Sequence, residues 1–247
     1  MDTTNLLPFF YLEVPPHWTC PTCNEGSLEV IPREVKKWET AASVIERGMD
    51  DWEPDWRRGT FHLVIKCSRD WCGERVVVTG VITWEHHDEG ETVRFAPKCF
   101  EPALNIIQVP DKAPRSIHRT VHIAGALLFA DPSSSGNKVR IAVEQLMDHF
   151  KVKRFEKRGK RVPIPLQRRL DAFKHLHPEE AELLTACKWL GNVASHGSEQ
   201  LTFRQAVEGF EILEHVLQGL LDDKSKRITR MAKAVNKRKG KLPKRRT

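Results

Sequence analysis

No apolar run in this chain approaches the roughly 20 residues that a helix needs to cross a bilayer. The opening residues, Met1-Asp2-Thr3-Thr4, lack the basic and long apolar regions of a secretory signal, so a cytoplasmic chain with no membrane partner is expected. In that setting the six cysteines are read as thiols or metal ligands rather than as a disulfide framework. Phosphate loops, dinucleotide fingerprints and Gly-x-Ser-x-Gly elbows are absent, and no internal repeat is visible. The acids near residue 50 follow no pairing rule that would mark two catalytic carboxylates. Kinase, dehydrogenase and hydrolase readings therefore have no positive support.

Negative charge is missing from one region altogether. From Lys224 onward there are twelve Lys or Arg and no Asp or Glu, so a formal net charge of +7 conceals a remainder of about −5. A second basic run spans residues 151–169. The tail also lacks aromatic residues on which bases stack, so its binding to RNA or DNA would be electrostatic. The residues singled out for it are Lys224, Lys226, Arg227, Arg230, Lys237, Arg238, Lys239, Arg245 and Arg246. A solvated tail that aids solubility is the other reading of the same charges.

At 247 residues, 40% hydrophobic and 30% charged, the chain has the length and balance of a globular protein with a real core. The first unit is built around Cys20-Pro21-Thr22-Cys23 and Cys67-Ser68-Arg69-Asp70-Trp71-Cys72. Between them Phe61, Leu63, Ile65 and Cys67 alternate with His62, Val64 and Lys66, the period of a half-buried strand. Further strands are expected at residues 28–31, 74–84 and 92–95, around an irregular acidic insert at 44–59. Two close cysteine pairs with strands between them are the pattern of a zinc ribbon. Four thiolates suit tetrahedral zinc, and a site closed by four cysteines is structural because no position is left for substrate. His62, His86 and His87 are substitute ligands, and Cys99 and Cys187 have no partner spacing.

Prolines mark residues 97–115 as a linker. Beyond it the period becomes helical. One helix is capped at Ser116, and another buries Val139, Ala142, Val143, Leu146 and Met147, with Arg140 and Glu144 beside that stripe as an i,i+4 pair. Residues 151–161 read as a flexible loop or helix extension. Pro178-Glu179-Glu180 starts a helix that runs into His196-Gly197, and Thr202-Phe203-Arg204-Gln205 is a capping box opening a long apolar helix. On the helix before it, Lys188, Asn192 and His196 recur every four residues and share a face, where a cation, an amide and a titratable ring can address one ligand. The plainer alternative is a helix end stopped by Gly197.

The order of parts, a four-cysteine ribbon, a Pro-rich linker, Arg140-Ile141-Ala142-Val143-Glu144 and then Gly191-Asn192-Val193-Ala194-Ser195-His196, resembles the bacterial domain of unknown function 4145 family, which is similar to the HEPN superfamily. The likeness covers roughly residues 97–222, and with it the expectation is an α+β chain: a small β-rich zinc ribbon at residues 1–96, a linker at 97–115, an all-α HEPN-like bundle at 116–223 and a basic tail at 224–247. It also implies a homodimer and a place in restriction or anti-phage defence, with a partner protein from such a system. Many HEPN relatives are metal-independent ribonucleases that use an Arg shortly before a His. His196 and Asn192 match that motif, but Trp189, Leu190 and Gly191 fill the window where its Arg would stand, and Lys188 lies one position beyond. A nucleic-acid-associated or protein-interaction module is therefore the leading expectation. The alternative is a ribonuclease in which His196 moves protons while Lys188 or Arg140 stabilises phosphate charge, with Glu144 as an orienting partner.

Overall fold

The computed structural model describes residues 3, 6–87, 90–158, 160–196 and 200–239, with the side chains of residues 157, 158, 160, 194–196, 223–226 and 229 excepted. A curled antiparallel sheet forms the first part. Its strands are β1 (Leu28–Val30), β2 (Lys36–Glu39), β3 (Arg58–Cys67), β4 (Arg75–His87) and β5 (Gly90–Glu101). β3 pairs with β4, and β4 with β5; on its other edge β3 takes both β1 and β2. The alternation read in β3 is the burial pattern itself: Phe61, Leu63, Ile65 and Cys67 are buried, as are Val76, Val78, Ile82 and Trp84 across from them on β4.

The acidic insert is ordered rather than irregular at its start. Thr40 accepts the amide of Ser43 and caps α1 (Ala41–Glu46), and Pro54–Trp56 form one 3₁₀ turn. Arg57 lies over the Trp84 ring at 4.0 Å and bonds Glu39 and Glu91, which ties the insert to the sheet.

The linker reading needs correction. Residues 97–101 complete β5 instead of leaving the sheet, with Pro97 opposite Gly80 where the register shifts. Ala103, Leu104, Ile106 and Ile107 then go into the core. A short apolar run broken by prolines looks like a loop in sequence, yet here it is the mortar between sheet and helices. An aromatic chain crosses the same junction: Trp18 meets Phe100 at 4.9 Å, Phe100 meets Phe129 at 4.8 Å, and Phe129 meets Phe203 at 5.1 Å between ring centroids. One hydrophobic cluster therefore runs from Leu6 to Leu221.

The second part holds α2 (Arg115–Leu127), α3 (Pro132–His149), α4 (Leu166–Lys174), α5 (Pro178–His196), α6 (Phe203–Leu221) and α7 (Asp223–Lys237). α2 begins after Pro114 without a side-chain cap, so Ser116 is not the cap expected of it. Asp131 caps α3 by accepting from Ser134 at 2.9 Å, and Ser135 and Gly136 lie buried in its first turns. Thr202 and Gln205 form the capping box of α6. The basic run after α3 is a hairpin of β6 (Phe155–Arg158) and β7 (Lys160–Pro163), not a flexible loop. Among the described residues no helix is long and apolar enough to cross a membrane.

Candidate functional site: a cysteine cluster and a cationic cleft

Cys20 and Cys23 sit in the turn before β1, Cys67 ends β3, and Cys72 lies in the turn that leads to β4. Their four sulfurs lie within 4.8 Å of one another, with Cys20 to Cys72 at 3.8 Å and Cys23 to Cys67 at 3.7 Å. These separations are far beyond a disulfide bond of about 2 Å, and all six cysteines are free. Backbone amides point at the sulfurs: Gly26 donates to Cys23 at 3.3 Å and Arg69 to Cys67 at 3.4 Å. Amide donation from Gly26 and then Glu25 brings the Cys23 thiol down to about 7, whereas burial pushes Cys67 up to about 12. A bound cation would favour all four thiolates at once, so this cluster can hold one metal ion.

Gly26 makes the cluster possible, since a methyl group there would stand 2.4 Å from the Cys67 sulfur. Asn105, from the segment read as a linker, donates to the Pro21 carbonyl at 2.8 Å and to Asn24 at 2.9 Å, clamping the cysteine turn from outside. Neither residue stood out in the sequence. The histidines weighed as substitute ligands lie elsewhere: His62 packs on Trp38, His86 sits between Asp55 and Glu91, and His87 faces Thr92. Cys99 is exposed and Cys187 is buried.

The second site is a cleft of 490 Å³ walled by α3, α4, α5 and the Pro163-Ile164-Pro165 segment. It brings together four of the residues chosen from sequence, Arg140, Glu144, Lys188 and Asn192, and adds Arg154, Gln167 and Arg169. Arg140 donates to Glu144 at 2.7 Å, the i,i+4 pair expected of α3. Arg169 is buried and donates to Asp148 at 2.6 Å, and Arg154 meets the same carboxylate at 3.5 Å. Lys188 donates to the Gln167 side-chain oxygen at 2.9 Å, and its ammonium lies 3.4 Å from the centroid of the Trp189 ring. The signal for Arg154 and Arg169 was the basic run. Between residues 151 and 169 stand nine Lys or Arg and one acid, and the hairpin with α4 turns part of that run toward the cleft.

Gly191 explains how Arg140 enters. A methyl at position 191 would stand 2.5 Å from Arg140 Cβ and 2.9 Å from its Cδ. The stem of Arg140 thus lies against the α5 turn that carries Lys188 and Asn192. The His196 backbone ends α5, but its side chain falls outside the described residues. Of the tail residues, Arg227, Arg230, Lys237, Arg238 and Lys239 are exposed on or just past α7. The side chains of Lys224 and Lys226, and the whole of Arg245 and Arg246, lie outside the described residues.

Family comparison divides the chain where the sheet hands over to the helices. Residues 8–104 match the family model described as domain of unknown function (DUF8608). Residues 122–238 match that of domain of unknown function (DUF4145). The second match covers Arg140–Glu144 and Gly191–His196, two of the four parts on which the resemblance was drawn. No curated protein and no solved structure matches the chain.

Proposed function

We propose that the chain is a nucleic-acid-associated module in which a zinc ribbon supports a HEPN-like helical domain, and that the cationic cleft holds the sugar–phosphate backbone. The observation that carries this reading is the convergence of Arg140, Arg154, Arg169 and Lys188 on one cleft, with the basic hairpin at its rim. Cations clustered in a groove bind phosphate with little sequence preference and release counterions as they do so. The exposed cations Lys151, Lys153 and Arg161 extend the positive field beyond the cleft.

Zinc is supported by the donor set and by its spacing. Sulfurs about 2.3 Å from a central zinc sit about 3.8 Å apart in a tetrahedron, and two of the sulfur separations here are 3.7 and 3.8 Å. Cys20, Cys23, Cys67 and Cys72 would hold the ion, which would supply a structural cross-link rather than a reaction.

Salt-dependent retention of RNA or DNA by the purified chain, measured by fluorescence anisotropy, tests the proposal. Joint substitution Lys153→Ala, Arg154→Ala and Arg161→Ala is expected to weaken binding about tenfold or more at low salt. Absence of binding by the unaltered chain at about 50 mM salt would overturn it.

One observation favours a second reading, that of a ribonuclease. The packing of Arg140 on Gly191 brings an arginine to the helix turn where the related motif carries its own. With His196 as the proton-transfer group and Lys188 or Arg140 as the phosphate cation, RNA would be cleaved by attack of its 2′-hydroxyl. Equal RNA cleavage by the unaltered chain and His196→Ala removes this reading.

A further inference from the structure

Lys188 presents an imbalance that its surroundings leave open. It is only 8% exposed, and its neighbours are an amide oxygen and an aromatic face. Among the described residues no carboxylate pairs with it. A buried ammonium without a counter-charge is costly, because desolvation is not recovered by Coulomb attraction. Of its three N–H donors, one is taken by Gln167.

Charge around the cleft can be followed pair by pair. Arg140 is matched by Glu144. Arg154 and Arg169 share the single carboxylate of Asp148. Among the described residues, four cations thus face two carboxylates. The cleft therefore calls for an anion of charge near −2. A phosphate ester at a strand end carries about −1.5 to −2 at neutral pH, whereas a phosphate inside a strand carries one charge.

We propose that Lys188, with Asn192 and Arg140 beside it, forms the seat of one terminal phosphoryl group, and that this group is the end of a nucleic-acid strand. The seat deepens the proposed nucleic-acid function and, as to the source of the phosphate, rests on it. Asn192 stands one turn from Lys188 on the same face of α5, and both line the cleft with Arg140. Its amide donates to a phosphate oxygen without adding charge. Arg140 reaches the site because Gly191 leaves room for its stem. Trp189, one residue from the seat, is exposed and carries the aromatic surface on which a terminal base stacks.

The test uses the full chain and three single-stranded oligonucleotides of one sequence, with a 5′-phosphate, a 3′-phosphate or no terminal phosphate. A phosphorylated end is expected to tighten binding about tenfold, the scale of one added set of charge-assisted hydrogen bonds. Inorganic phosphate, at ionic strength matched with chloride, is expected to erase that advantage. Lys188→Gln is expected to lose it as well, so that its affinities for the phosphorylated and unphosphorylated strands become equal. Should Lys188→Gln fail to fold, the phosphate competition on the unaltered chain carries the test alone. Equal affinity for all three strands overturns the seat and leaves the nucleic-acid reading standing. If no strand binds, but inorganic phosphate raises the melting temperature of the unaltered chain and not of Lys188→Gln, the seat stands with a free phosphorylated molecule as its source, and the nucleic-acid reading fails.

Discussion

Gly191 lies against the side chain of Arg140, so closely that a methyl group at position 191 would stand 2.5 Å from Arg140 Cβ. The position that departs from the ribonuclease motif is thus the position that admits an arginine from the neighbouring helix. Gly191→Ala is expected to cost about 1–3 kcal/mol, because the clash involves the stem of Arg140 close to its own backbone and not its mobile end. Arg140→Ala should recover part of that loss when combined with it, giving a non-additive pair in thermal or denaturant unfolding. Strict additivity would show that the Arg140 stem beyond Cβ does not share the space.

The cysteine cluster is tied into the rest of the fold through Asn105 and through the aromatic chain from Trp18 to Phe203. Removing a metal bound there should therefore weaken the helices as well as the sheet. Purified protein is expected to carry one zinc per chain, and Cys20→Ser to lose most of it. Chelation should shift a single unfolding transition down by roughly 10 °C, given about 2–4 °C per kcal/mol for a chain of this size. A separate early transition of the sheet alone would contradict the shared core.

Cys187 gives a pH dependence away from that cluster. Burial pushes its thiol up to about 12 in the folded chain, against about 8.5 in an unfolded one. The folded state holds this proton more tightly, so its contribution is fully present below about pH 8 and is lost as pH rises from there through 12. Stability should fall by up to about 1.4 kcal/mol per pH unit from this group over that window. Cys187→Ala, compared at pH 7 and pH 10, should show a smaller alkaline loss than the unaltered chain. Alkylation of native protein should find Cys99 and spare Cys187.

What the sequence made readable was whatever local chemistry dictates alone. The period-two burial of β3, the Thr202–Gln205 capping box and the two cysteine pairs all announce themselves within a few residues. The Arg140–Glu144 pair belongs with them, since helical spacing makes it. Residues 97–107 do not, because β5 gains its last residues of strand from pairing with β4, and a proline at position 97 hides that. The β6–β7 hairpin is equally hidden. Its strands are rich in basic residues and carry no regular apolar alternation, so nothing in their pattern separates a hairpin from a loop. The basic run at residues 151–169 signals the cleft cations Arg154 and Arg169 only collectively, and Gly191 looks like a missing arginine until the neighbour that fills its space is visible.

The tail separates electrostatic attraction from the specific interactions of the cleft. Every described side chain of α7 is exposed, including Ile228, Met231 and Val235. Deleting residues 224–247 should therefore leave the melting temperature within about 2 °C of the full chain, since no buried side chain among those described is removed. Binding to RNA or DNA should nevertheless weaken, and the slope of log affinity against log salt should fall by about 0.7 to 0.9 for each phosphate that the tail no longer neutralises. The preference for a phosphorylated strand end should survive the deletion, because Lys188, Asn192 and Arg140 stay in place. If the truncated chain keeps the full salt slope, the tail is a solvated extension and the cleft with its hairpin carries all the binding.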